Sequence, residues 1–326
     1  MKTDTDRSKI PLLVLVGPTA VGKSELAIKV ARQLKTDIIS ADSAQIYRHL
    51  DIGTAKPSPE EQKTVKHHLI DLVEPDQYYS VADYQKSAAR TIKELWQEGK
   101  LPFLVGGTGL YIKAVTDSYA FGPKGASREL RAAYEEMASS EGLDKLYDRL
   151  RAIDPDTAGR IHPNDQRRII RALEVYTLEG KPISEQVTQT GREVSPYKTV
   201  IFGINMERGL LYSRIEERVD DMIKQGFIKE VQSLCEDGYD DHTPGMQVLG
   251  YKQLLTYLKG NTNLEETVTE IKKQTRNLAK RQLTWFRRES NLEWITITDQ
   301  FSIDSITEII CAKVKDIMPS RANTNS

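Results

Sequence analysis

The apolar run Leu12-Leu13-Val14-Leu15-Val16 leads straight into Gly17-Pro18-Thr19-Ala20-Val21-Gly22-Lys23-Ser24. A short, continuous apolar run is what a parallel strand covered on both faces needs. The residues after it fit Gly-x-x-x-x-Gly-Lys-[Ser/Thr], a glycine-rich turn that opens a helix and points backbone N–H groups at one spot. The helix N-terminus adds partial positive charge, Lys23 adds a full one, and the Ser24 hydroxyl is placed to hold Mg²⁺. An ordinary glycine turn is the weaker reading, because strand, loop and helix come in the right order. Phosphate binding follows; which phosphate compound is bound does not.

The rest of the chain repeats the alternation. Leu26, Ala27, Val30 and Leu34 continue at helical spacing, and an isoleucine-rich strand at 37–40 delivers Asp42. Residues 81–98 read as an amphipathic helix closed by Gly99, and 101–105 as a buried strand ending in Gly106-Gly107-Thr108. This predicts a doubly wound parallel sheet. From Phe121 to Tyr197 helical periodicity takes over, with Gly122-Pro123 and Ser195-Pro196 as boundary turns. A strand returns at 199–204, helices at 207–238 and 264–289, and a last strand at 292–297. The expected architecture is α/β: a P-loop NTPase-like core from residues 1–120 and 199–326, with a mostly helical insertion domain at 121–198. The terminal Pro-Ser-Arg-Ala-Asn-Thr-Asn-Ser reads as a frayed tail.

Composition removes several classes. Lys plus Arg number 46 against 47 for Asp plus Glu, so a nucleic-acid binder of this kind must cluster its basic residues. Cys235 and Cys311 stand far apart without metal-ligand company, so neither a disulfide framework nor a zinc site is suggested, which fits a reducing cytosol. No apolar run is long enough to span a membrane, and the polar N-terminus lacks a signal-peptide core, so a cytoplasmic protein is expected.

An ATP-using enzyme of this type usually ends a second apolar strand in an acid that supports Mg²⁺. The strand at 101–105 ends in glycines and Thr108 instead. Asp71 lies on a short, poorly flanked segment, and the surroundings of Asp42 do not resemble a metal-support motif. Nucleotide hydrolysis is thereby weakened, not removed.

Other residues carry two readings each. Asp42, at the carboxyl end of a strand, faces the crevice where ligands bind in open α/β sheets; a carboxylate there takes a proton or merely caps a turn. Thr108 either meets a ligand or caps the next helix. Arg214 and Arg218 lie four apart on one helical face and can clamp a diphosphate, yet Glu217 and Asp221 are spaced to neutralise them. Lys272 to Arg288 hold seven basic residues and no acid. Lys272, Arg276 and Lys280 share a helical face suited to phosphates, with a solvated helix as the plain reading. Arg167, Arg168 and Arg171 form a second basic group, on a helix that Asn164 or Asp165 can cap.

Six motifs occur together and in order: GPTAVGKS, SADSAQIYRHLDIGTAKPS, LVGGTGLYIKAV, RIHPNDQRRIIRALEVY, VLGYKQL and LAKRQLTWFRR. With them the chain, from about residue 11 to about residue 290, resembles the bacterial tRNA dimethylallyltransferase family. The resemblance implies transfer of a dimethylallyl group from dimethylallyl diphosphate to N6 of adenosine 37 in tRNA, with diphosphate released. On that reading residues Gly17 to Ser24 grip the diphosphate with Arg214 and Arg218, and Ser24 holds Mg²⁺. Asp42 takes the N6 proton and Thr108 stands at the reaction centre. The tRNA anticodon stem-loop is expected against Asp42, Ser43, Ala44, Gln45, Thr108, Arg131, Gln166, Arg167, Arg168, Ile169, Ile170, Lys272, Arg276 and Lys280. The target base must leave its stack to reach Asp42, with unpaired bases carrying specificity. No membrane and no obligate protein partner are implied, and a monomer is expected. Ser24 stands where Thr is commoner in the family, and Gly109 where many relatives carry Met. A P-loop small-molecule kinase would share the loop but not need the basic stripe. A non-catalytic RNA-binding NTPase-like module would need neither Asp42 nor Thr108 beside the loop.

Overall fold

The computed structural model describes residues 9–117, 127–185, 195–298 and 302–315. The first apolar run is β1 (Ile10–Val16), next to the centre of a six-stranded sheet. With β2 (Ile38–Ala41), β3 (His67–His68), β4 (Phe103–Gly106), β5 (Tyr197–Met206) and β6 (Leu292–Ile297), the order is β3-β2-β4-β1-β5-β6. Every pairing is parallel. Strand alternation splits the core between the two faces. Leu13, Leu15, Phe103 and Val105 pack on one side, and Leu12, Val14, Val16 and Leu104 on the other.

The helices are α1 (Lys23–Leu34), α2 (Pro59–Thr64), α3 (Val81–Gln97), α4 (Gly109–Thr116), α5 (Arg128–Glu141), α6 (Leu143–Ile153), α7 (Pro155–Ala158) and α8 (Gln166–Glu179). After β5 come α9 (Arg208–Gln225), α10 (Phe227–Glu236), α11 (Tyr251–Leu258), α12 (Leu264–Phe286) and, after β6, α13 (Ile303–Lys315). The sequence reading did not place α2, α11 or α13. The span 207–238 is two helices, because Gly226, at φ 104°, ends α9 and starts α10 in a left-handed conformation that favours glycine.

The chain divides into two compact units, Met1–Thr116 with Pro196–Ser326 and Asp117–Ser195. The first holds the sheet. In the second, α5 to α8 bury Tyr134, Leu146, Leu150, Ile169, Ile170 and Leu173 in a core of their own. The Asp165 carboxylate caps α8 by accepting the Arg168 N–H at 3.2 Å. The expected turn at Gly122-Pro123 and the terminal tail lie outside the described residues.

Register fixes what the sheet presents. Ala41 of β2 and Val16 of β1 both pair with Gly106 of β4. The next residues, Asp42, Gly107 and Gly17, therefore leave three adjacent strands at one level, at the carboxyl edge where open α/β sheets take their ligands.

Candidate active site

Gly22 adopts φ 94°, a left-handed turn open to glycine, and α1 begins at Lys23. No side chain caps α1, so its first N–H groups remain available to an anion. Gly17, Pro18 and Val21 are buried, Thr19 and Ala20 are half-buried, and Ser24 is exposed on the first turn of the helix. The Lys23 ammonium donates to the Pro18 carbonyl at 2.6 Å. Burial and the Arg218 guanidinium push Lys23 down to about 7, while Asp42 pulls in the opposite direction. Burial also lowers the Arg218 pKa, again opposed by Asp42.

Two cations and one carboxylate thus share a confined space. The suspected neutralising partners of the arginines are engaged elsewhere: Glu217 accepts from Ser213, and Asp221 pairs with Lys224. Among the described residues neither Arg214 nor Arg218 has an acid within ion-pair distance, although the Asp42 charge reaches Arg218. Arg214 lies against the phosphate loop, its Nη1 3.6 Å from where a Cβ on Gly22 would stand. Half-buried arginines beside a lysine with a depressed pKa gather positive charge suited to a diphosphate.

Asp42 does cap a turn, accepting the Ala44 N–H at 2.9 Å through Oδ1. Its charge also reaches Lys23 and Arg218, so both readings of this residue hold together. Beneath it, Tyr84 donates to the Ser40 carbonyl at 2.9 Å and stacks on Tyr111 at 3.8 Å between centroids. Thr108 does not spend its hydroxyl on α4. Oγ1 accepts the Ser43 N–H at 3.0 Å and donates to Ser43 Oγ at 3.3 Å, while the Thr108 N–H donates to the Ala41 carbonyl at 3.1 Å. The ends of β2 and β4 are thereby fastened together.

Asp71 is not a metal-support acid. It pairs at 2.6 Å with Lys56, whose side chain is 3 % exposed and also meets Asp51 at 2.5 Å and the Tyr47 carbonyl at 2.9 Å. Gln45, expected against RNA, is turned inward: it accepts from Ser40 at 3.0 Å and donates to the Ala55 carbonyl at 3.2 Å. The Glu230 carboxylate on α10 accepts the N–H groups of Asp51, Ile52 and Gly53 at 3.1, 2.8 and 3.3 Å, and the Tyr251 hydroxyl as well. The segment that begins at Asp42 is therefore tied down along its length.

Gln282 on α12 was missed by sequence reasoning. Its Oε1 accepts the Thr19 N–H at 2.8 Å and its Nε2 donates to the Gly107 carbonyl at 3.1 Å. The loop amide of Thr19 is therefore already bonded, a correction to the expectation that Thr19 offers its amide to the diphosphate. On the next turn Trp285 covers Gly109, where a Cβ would come within 2.3 Å of the indole. That contact explains a glycine at this position.

The basic stripe also differs from expectation. Lys272 pairs with Asp220 at 2.7 Å and Arg276 with Glu216 at 2.6 Å, both across to α9. These charges stitch two helices together instead of facing phosphates. The acids could not be seen in the 272–288 stretch because they come from another helix. Lys280 and Arg281 remain exposed and, among the described residues, without an acidic partner.

In the second unit Gln166, Arg167 and Arg168 are exposed, but Ile169 and Ile170 are 0 % and 4 % exposed. Their side chains fill the unit's core and cannot touch RNA; the amphipathic period of α8 turns them inward. Arg131 forks onto Glu174 through Nε at 3.0 Å and Nη2 at 3.1 Å, and Arg171 adds a bond at 2.7 Å. Burial alone would raise the Glu174 pKa; Arg171, Arg131 and the Ser127 N–H outweigh it and hold the carboxyl below its ordinary value.

Comparison with known proteins places the chain in a family. The family described as IPP transferase matches residues 45–289. The chain is 49% identical over 310 residues to the tRNA dimethylallyltransferase of Natranaerobius thermophilus, covering 94% of this chain and 91% of that one. It is 50% identical over 300 residues to that of Carboxydothermus hydrogenoformans, covering 92% and 96%. Among solved structures it resembles the tRNA isopentenylpyrophosphate transferase of Bacillus halodurans, with TM-score 0.70, 42% identity and coverage of 94% and 98%. It also resembles a eukaryotic dimethylallyltransferase acting on tRNA, with TM-score 0.82, 27% identity and coverage of 97% and 81%. A phosphate loop with an aspartate at its side, a matching family model over most of the chain, and relatives alike along nearly its whole length lead to one conclusion: this protein belongs to the IPP transferase family.

Proposed function

We propose that this chain is a prenyltransferase that moves a dimethylallyl group from dimethylallyl diphosphate to N6 of adenosine 37 in tRNA, giving N6-(dimethylallyl)adenosine and diphosphate. The observation that carries this reading is the row at the sheet's carboxyl edge: Lys23, Asp42 and Thr108 side by side, with Arg214 against the loop and Arg218 within reach of the Lys23 and Asp42 charges.

The chemistry suits that row. An exocyclic adenine amine is a poor nucleophile because its lone pair is delocalised into the ring. Asp42 orients the amine and accepts its proton as the N6–carbon bond forms. The allylic carbon–oxygen bond breaks, and its electron pair leaves on the diphosphate. Lys23, the α1 N-terminus, Arg214 and Arg218 neutralise that charge where it develops. Thr108 touches the adenine or the diphosphate oxygens.

Ser24 is exposed beside Lys23 and carries the hydroxyl that Mg²⁺ needs. With Asp71 held by Lys56, the remaining metal ligands would be diphosphate oxygens and water. Bound Mg²⁺ would supply further neutralisation of the leaving group.

For the tRNA anticodon stem-loop, the supporting residues are Asp42 to Ala44 and, on α12, Lys280 with Arg281 in the first unit, and by itself the exposed group Gln166, Arg167 and Arg168 in the second; Arg131, expected there, is spent on Glu174. No helix among the described residues is long and apolar enough to cross a membrane. The RNA substrate suits a cytoplasmic enzyme, acting here as a monomer.

Incubation with dimethylallyl diphosphate, Mg²⁺ and unmodified tRNA, followed by mass analysis of the nucleosides, tests the reading. Prenylated adenosine is expected. Phosphate release from ATP without prenylation would instead favour a small-molecule kinase, and RNA binding without product a non-catalytic module.

A further inference from the structure

The phosphate loop follows β1, and Thr108 follows β4. Their separation decides how far the allylic carbon lies from the attacking amine. Strand pairing fixes that separation only as far as Val16 and Gly106; beyond them each loop leaves its own strand. One side chain spans the two. Gln282 Oε1 holds the Thr19 N–H at 2.8 Å, and Nε2 of the same carboxamide holds the Gly107 carbonyl at 3.1 Å. Gly107 immediately precedes Thr108, and Thr19 lies within the phosphate loop.

A primary amide carries an acceptor and a donor on a single planar carbon, which this pair of targets requires. Glutamate would keep the bond to Thr19 and turn an acceptor against the Gly107 carbonyl. Methionine would fill the space and make neither bond. The fit is close: a Cβ on Gly107 would stand 2.4 Å from Gln282 Nε2, so a side chain there would drive the amide out. The carrier is rigid too, since Gln282 sits inside the 23-residue helix α12, which Trp285 packs against Gly109 one turn later.

We infer that Gln282 is a positioning residue, one whose carboxamide sets the spacing between the diphosphate cradle and the Thr108–Asp42 side of the centre. This rests on the function proposed above. It assigns Gln282 neither diphosphate affinity nor proton transfer.

The test compares wild type with Gln282→Met and Gln282→Glu in single-turnover and steady-state prenyl transfer. Pyrophosphate calorimetry on each variant counts intact cradles. For Gln282→Met the expected result is a turnover about 10–100-fold lower, the size of loss that a misplacement of about 1 Å causes. The KM values for donor and tRNA should stay within about threefold, and pyrophosphate stoichiometry near one. Amide exchange at Thr19 should quicken at least about tenfold, since a protecting hydrogen bond is lost. A simple loss of folded enzyme would lower the stoichiometry together with the rate. Turnover of Gln282→Met within twofold of wild type would overturn the inference and leave the proposed function standing. If Gln282→Met does not fold, Gln282→Glu decides in the same way, because it keeps the packing and the Thr19 bond but loses the donor to Gly107. If wild type itself makes no prenylated adenosine, the proposed function fails and the role assigned to Gln282 falls with it.

Discussion

Thr108 Oγ1 accepts the N–H of Ser43 at 3.0 Å, so the hydroxyl at the end of one strand is fastened to the neighbour of Asp42 on the next. Asp42 also closes a turn onto Ala44. Removing its side chain therefore disturbs shape as well as chemistry. Asp42→Asn keeps the turn acceptor and discards the base. It should lower single-turnover prenyl transfer by about 10²–10⁴-fold, the usual worth of a general base, with tRNA affinity within about twofold. An asparagine enzyme as fast as wild type would remove Asp42 from the proton-accepting role.

Lys23 makes diphosphate binding pH-dependent. Its pKa in the free protein is about 7, lowered first by burial and then by Arg218. An anion in the cradle favours the ammonium and raises that value. Affinity should then be full below pH 7 and decline as pH rises above it, because each binding event must recruit a proton. Lys23→Arg keeps its charge throughout. Pyrophosphate calorimetry at pH 8.5 in buffers of different ionisation enthalpy should show wild type taking up about one more proton than Lys23→Arg. Equal uptake by the two would contradict a depressed Lys23.

The pairing of Lys272 and Arg276 with α9 sets them apart from Lys280 and Arg281, which are exposed and, on the proposed function, meet tRNA. Replacing Lys280 and Arg281 together by alanine should flatten the slope of log affinity against log salt for tRNA by about 1.5, near 0.7–0.9 per phosphate contact. The double alanine variant at Lys272 and Arg276 should instead lower the melting temperature, by the few degrees expected of about 1–2 kcal/mol from two half-buried pairs, and leave the slope nearly unchanged. The opposite pattern would mean that α12 meets RNA through its paired face.

Glu174 is fully buried beneath Arg131 and Arg171. Glu174→Ala leaves two guanidinium groups, each more than a third exposed, without their carboxylate and the Ser127 N–H without its acceptor, and should destabilise the second unit by about 1–3 kcal/mol. Urea melts read through a probe within residues 127–185 would register it. Because the native pKa lies below the unfolded one, this contribution is complete above the ordinary glutamate range. It is lost as pH falls through the depressed native value. Acid titration should therefore narrow the stability gap between wild type and Glu174→Ala, while Asp154, also held below its ordinary value, weakens both units alike.

The strands and the phosphate loop were legible because their determinants are local. Leu12 to Val16 announce a doubly covered strand, and Lys23, Asp42 and Thr108 each follow a strand end within a few residues. The helix Ile303–Lys315 also carries a local signal, with Ile306, Ile310 and Val314 at helical spacing, and could have been read. Gln282 could not: its partners Thr19 and Gly107 are 263 and 175 residues away, and no spacing rule links them. The same holds for Asp220 and Glu216, whose charges cancel a stripe that looks free along its own helix. Ile169 and Ile170 show the converse case. A motif brought them forward as contacts, but the apolar period of their own helix marks them as core.

Glu230 gathers three successive backbone amides and the Tyr251 hydroxyl onto one carboxylate, just downstream of the loop that begins at Asp42. The entropy of ordering this stretch is spent when the chain folds, not when RNA arrives. On the proposed function, accommodation would then come from the nucleic acid: the anticodon loop would bend to reach a stationary acceptor, and sequences whose loops unstack easily would gain an advantage before any base is read.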